Sequence, residues 1–146
     1  MSRIDVLRPF IEKNLAAVLE TERVAPDEDG EYSLPHGSAE VTLRLLDAPM
    51  PLLQFSAVLL TGLKKKPRLL DAVNDVNATE LGIRLFRFED LLIAAWEIPA
   101  DTLDARQFAD ACRRFADAAD RLDTVFARKF GGKTARADSD EEAVDA

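Results

Sequence analysis

From Ile83 to Ile98 the chain reads IRLFRFEDLLIAAWEI, with large apolar side chains at odd and even positions alike. Side chains of a strand point alternately to the two faces of its sheet. A hairpin of this composition therefore carries apolar surface on both faces and leaves neither comfortable in water. Helices must shelter one face, and the other is left for something else. Taking Glu89-Asp90 as the loop, Phe88 faces Leu91, Phe86 faces Ile93 and Arg84 faces Ala95, and alternation puts these residues on one face. The opposite face holds Ile83, Leu85, Leu92, Ala94, Trp96 and Ile98, with Arg87 at its loop end. Arg84 and Glu97 decide which face is inward, because burying unpaired charge is costly. Trp96 and Leu85 are expected toward the helices. Arg84, Phe86, Phe88, Leu91 and Ile93 are expected outward, joined by Val58 and Leu60 of the preceding strand. The alternative, a register displaced by one, makes the same residues core.

Composition narrows the function classes. The 146 residues suit one domain with a real core, and 47% hydrophobic with 32% charged residues is ordinary for a globular protein. The net charge is −8, and five of the 27 acids (Asp138, Asp140, Glu141, Glu142, Asp145) fall in the last nine residues. Such an acidic balance argues against nucleic-acid or anionic-membrane partners, which need a clustered basic footprint. One cysteine, Cys112, excludes an intrachain disulfide and suits a reducing compartment. No signal-peptide pattern opens the sequence, and no apolar run approaches the ~20 residues of a membrane span. A cytoplasmic location is expected.

In chain order, Ile4, Leu7, Ile11, Leu15 and Val18 recur at helical spacing. The helix is expected to become regular near Val6, keeping Pro9 in its first turn, and to end near Glu22. Ser2 with Asp5 is a capping signal. VAPDEDG (24–30) is loop chemistry, and a short strand over Glu31–Leu34 precedes a turn at Pro35-His36-Gly37. Ala39–Leu46 alternates as a half-buried strand, and Leu52–Thr61 is a third strand. A helix from Pro67 to about Asn77 carries Leu69, Leu70, Val73 and Val76 on one stripe, with Asn74 and Asn77 close by. A half-buried Asn near a helix end ties down loop backbone more often than it holds a ligand.

After Pro99, Asp104 and Gln107 make a capping box for a long helix. Phe108, Phe115 and Leu122 recur every seven residues, flanked by Ala111, Ala118, Val125 and by Cys112, Ala119, Phe126. The stripe ends at Gly131-Gly132. At 1.5 Å per residue such a helix spans roughly 40 Å and lies across a whole sheet. Asp117 with Arg121, and Asp110 with Arg114, are four apart and suit a solvated outer face. The domain is placed at residues 1–132, with a disordered acidic tail over 133–146.

The chemistry-bearing residues are few. His36, in a Pro-His-Gly turn, is the single histidine, so no histidine cluster offers a zinc site. No Gly-x-Ser-x-Gly elbow is present. Gly132-Lys133-Thr134 imitates a P-loop end, but Ala127 stands where the first glycine belongs and the segment closes a helix. Lys64-Lys65-Lys66 reads as a solvated link. No catalytic, metal or cofactor residues are expected, and an enzyme is not.

The stretch LLDAVNDVNATELGIRLFRFEDLLIAAWEIP, with Leu69, Leu70, Asn74, Asn77, Ile98, Pro99, Gly131 and Gly132, resembles the YbjN-domain family. The element order resembles the type III secretion chaperone-like fold, over roughly Ile4 to Gly132. The resemblance implies an α+β domain: helix, three strands, helix, two strands, long helix, with an antiparallel five-stranded sheet covered on one face by the N- and C-terminal helices. It also implies a frequently dimeric protein, with Asn74 and Asn77 as structural motif residues. Related chaperones hold extended client segments against apolar surface, and the family is also described as a sensory-transduction regulator. Two expectations of different class result: a chaperone-like module that captures a peptide or protein client on the outward face, or a regulatory homodimer that uses this face only for its second copy.

Overall fold

A computed structural model describes residues 2–136. Helix α1 (Arg3–Leu19) is followed by strands β1 (Tyr32–His36), β2 (Ala39–Leu46) and β3 (Leu52–Leu60). Helix α2 (Leu69–Thr79), strands β4 (Arg84–Phe88) and β5 (Leu91–Pro99), and helix α3 (Ala105–Phe130) complete the chain. The strands form one antiparallel sheet in the order β1-β2-β3-β5-β4. This is the α+β order and the five-stranded sheet that the sequence implied.

Both capping boxes form. Ser2 Oγ accepts from the Asp5 N–H at 3.2 Å while Asp5 Oδ2 accepts from the Ser2 N–H at 3.3 Å. That cap starts α1 at Arg3, ahead of the expected Val6, and places Pro9 inside the helix rather than in its first turn. Asp104 and Gln107 cap α3 in the same way, at 2.7 and 3.0 Å. β1 continues through Pro35 and His36, so the turn is Gly37-Ser38. A proline is tolerated there because β1 is an edge strand.

The inner face of the sheet carries Tyr32, Val41, Leu43, Leu53, Phe55, Leu85 and Leu92, all buried. α3 crosses β1, β2 and β3 on this side, and α1 packs on α3, with Phe10 edge-on to Phe108 at 6.2 Å. Phe55 lies between Phe115 and Trp96, with ring centroids 5.6 and 5.7 Å away. Gly82 permits that arrangement: its φ is +78°, and a Cβ there would meet Trp96 Nε1 at 2.8 Å.

Several expected details differ. Leu70 is 64% exposed, because the buried line of α2 is Leu69 and Val73 and Leu70 lies about 100° around from Leu69. Val125, expected on the stripe of α3, faces solvent. The expected intrahelical pairs are replaced: Asp110 pairs with Arg113, Arg121 reaches Glu80 at the end of α2, Asp117 meets His36, and Arg114 stacks over Trp96. The chain also stays on the core past Gly132. Lys133 and Thr61 exchange two backbone hydrogen bonds of 2.9 Å, and the Arg136 N–H donates to the Ser38 carbonyl at 3.0 Å. The remainder of the expected tail, 137–146, lies outside the described residues.

Candidate functional site

The hairpin register is Phe88↔Leu91, Phe86↔Ile93, Arg84↔Ala95, and β3 joins it with Val58↔Ile93 and Ser56↔Ala95. Val58, Ile93 and Phe86 thus form one outward row across three strands, with Leu91 and Phe88 next to it. Val58 is 39%, Phe86 37% and Phe88 58% exposed, and Leu91 and Ile93 are half-buried. No helix of the described residues lies over this row.

Polar groups bound the patch along the strands. Arg84 stacks over the Phe86 ring at 5.9 Å and pairs with Glu97, which also accepts from Gln54 Nε2 at 3.0 Å. These bonds hold the Glu97 carboxyl below the usual range against the opposing effect of burial, the largest single influence on it. The outward charges that oriented the hairpin are therefore neutralised in place.

Leu60 is not part of this face. It is fully buried, as is Leu59. The cause is a β-bulge between Val58 and Leu60, after which Leu60 pairs with Leu92 and both residues point inward. Strict alternation placed Leu60 beside Val58; one inserted residue reverses it.

The two asparagines separate. Asn77 Nδ2 donates to the Leu85 carbonyl at 2.9 Å, and its Oδ1 accepts from the Leu85 N–H at 2.7 Å. In an antiparallel pair alternate residues turn their N–H and C=O away from the partner strand. At Leu85 the outward pair is taken by a side-chain amide, so α2 closes the β4 edge. Asn74 is exposed and its side chain has no hydrogen bond among the described residues, because it is turned about 100° from Val73 around the helix.

His36 and Ser38 do not form a catalytic pair. His36 Nε2 lies 2.8 Å from Asp117 Oδ1 on the surface. Ser38 is buried, with its Oγ 2.9 Å from Asp120 Oδ1 and 2.8 and 2.9 Å from the two oxygens of Asp123. Burial pushes the Asp123 carboxyl above its ordinary range, and the charge of Asp120 adds to this, against the bonds from Ser38 and Thr124. This knot pins the β1–β2 turn to α3. Gly37 fits only because it has no Cβ, which would fall 2.2 Å from Asp120 Oδ1. Nothing in the sequence distinguished Ser38 or Asp123 from solvated residues.

A family model described as "T3SS (YopN, CesT) and YbjN peptide-binding chaperone 1" matches residues 5–138. The chain belongs to that family. Among solved structures, the ExsC–ExsE complex contains a chain 18% identical to this one, with a TM-score of 0.68, over 85% of this chain and 96% of that one. YbjN from E. coli is 17% identical with a TM-score of 0.59, over 88% and 94%. The ExoU–SpcU complex from the type III secretion system of Pseudomonas aeruginosa gives 17% and 0.57, over 78% and 95%. A comparison with curated proteins found no match. At these identities the three solved structures share the fold with this chain, and its own site rests on its own residues.

Proposed function

We propose that this chain is a non-enzymatic, chaperone-like module that captures an apolar segment of a protein or peptide partner on its outward sheet face. The observation that carries the proposal is the exposed row Val58, Ile93, Phe86 with Phe88 and Leu91 beside it. Contiguous apolar surface of this kind marks interaction sites on soluble proteins. Membership in a family described as peptide-binding chaperones supports it, as do neighbours of the same fold solved in complex with a second protein. The partner meets the face rather than the β4 edge, because Asn77 already occupies the groups that strand addition would use at Leu85. A reducing cytoplasmic setting suits the single, buried Cys112.

The test is Phe86→Asp, read by capture of apolar peptides and by light scattering. Loss of capture at unchanged solution mass supports a client site. Conversion of a dimer to monomers with capture intact would assign the face to a second copy instead.

A further inference from the structure

Asp117, Asp120 and Asp123 stand three residues apart on α3, and all three reach the β1–β2 turn. They run from water to core: Asp117 is exposed, Asp120 is half-buried and Asp123 has no exposure. Asp117 meets the His36 ring, Asp120 accepts from the Ser38 N–H at 2.9 Å, and the Ser38 hydroxyl lies between Asp120 and Asp123. The same turn holds the chain beyond α3, because the Ser38 carbonyl accepts from the Arg136 N–H at 3.0 Å. His36, Gly37 and Ser38 thus fasten two segments, the β1–β2 connection and residues 133–136, to the rest of the fold.

Among the described residues no lysine or arginine pairs with any of these three aspartates. The charges of the surrounding elements are committed elsewhere. Arg8 and Glu12 of α1 meet at the Tyr32 hydroxyl, and Glu40 and Arg44 of β2 reach Ser33 and Glu31. β3 has no titratable side chain, Arg121 of α3 goes to Glu80, and Lys133 and Arg136 are exposed. What faces Asp123 is therefore the charge of Asp120, with His36 and Asp117 at the rim. Burial opposes the ionised form of Asp123, and Asp120 adds to that. Hydrating this carboxylate means moving either α3 or the turn. α3 is anchored by Phe108, Phe115, Leu122 and Phe126, all buried, whereas His36 and Gly37 are exposed and only Ser38 of the turn is buried. Local opening is drawn from such lightly anchored segments.

We propose that the His36–Ser38 turn is a proton-operated latch: it stays closed on α3 while Asp123 carries a proton, and loss of that proton lifts the turn and releases residues 133–136 with it. Opening then sets one proton free. Between the ordinary carboxylate range and the higher folded value it becomes about tenfold easier per pH unit, and above that value it levels off. At the rim, a neutral His36 ring attracts Asp117 less than a protonated one, so this contact weakens in the same direction. The latch lies on the helix side of the sheet and does not depend on the partner role of the outward face.

Amide hydrogen exchange of the full-length chain between about pH 4 and 8, corrected for the intrinsic rate, tests this. The Ser38 and Arg136 amides are expected to share one protection factor, at least about tenfold below that of Phe55 in the middle of the sheet. Low urea should leave it unchanged, since lifting the turn exposes little surface. It should fall by about tenfold per pH unit before levelling off. Asp123→Asn should remove the fall, and His36→Gln should keep it. The wild-type comparison needs no variant, so it stands even if D123N fails to fold. Protection at Ser38 and Arg136 that equals Phe55 and follows it in urea would overturn the latch. So would different pH courses at the two amides, or a fall that persists in D123N.

Discussion

Asn77 and Leu85 are joined as two strand residues would be: the side-chain amide of one donates to the carbonyl and accepts from the N–H of the other, at 2.9 and 2.7 Å. The bond pair makes a helix side chain the last partner of the sheet. It occupies the outward backbone groups of β4 at Leu85, within the strand.

Asn77→Ala is expected to strand both groups of Leu85, with a loss of about 1–3 kcal/mol in urea unfolding. Light scattering should show increased self-association, as an uncovered edge invites strand pairing. Asn74→Ala is the control and should change stability by less than about 0.5 kcal/mol, since its side chain is exposed and unbonded.

The Ser38 knot predicts an unusual pH dependence. Ser38 Oγ lies within 2.9 Å of three carboxylate oxygens, one of Asp120 and both of the buried Asp123, where burial opposes the charged form of Asp123. Because folding raises the Asp123 pKa, its contribution to stability is full below the ordinary carboxylate range. That contribution is lost as pH rises through the raised folded value. Asp120 is the charge facing it, and His36 with Asp117 flanks the same turn. Asp123→Asn, which keeps a donor toward Ser38, should flatten this part of the profile and gain on wild type as pH increases. Asp123→Ala should lose about 2–3 kcal/mol at any pH, from the cavity and the abandoned hydroxyl. Thermal unfolding from pH 4 to 8 distinguishes them.

The bulge in β3 yields a paired prediction. Val58→Asp should fold with a change below about 1 kcal/mol, because the side chain is already partly in water. Leu60→Asp should fail to fold, and Leu60→Ala should lose about 2–5 kcal/mol, from a site with no exposure. Equal tolerance at the two positions in chemical denaturation would contradict the inward turn of Leu60.

What the residues made legible follows from how local the determining physics is. The hairpin register was readable because Glu89-Asp90 fixes the pairing and Arg84 and Glu97 choose the face, all within sixteen residues of chain. The capping boxes were readable for the same reason. Leu60 was not, because a bulge changes the alternation without any glycine or proline to announce it. The outcome at Ser38 was equally hidden: its partners Asp120 and Asp123 are more than eighty residues away.

The most direct test of an outward face that receives a partner is a map of amide chemical-shift changes on titrating the full-length chain with an apolar client peptide. Changes concentrated at Val58, Phe86, Phe88, Leu91 and Ile93, and abolished by Phe86→Asp, are the predicted result. Changes centred on α1 and α3 instead, with the five outward residues unmoved, would contradict it.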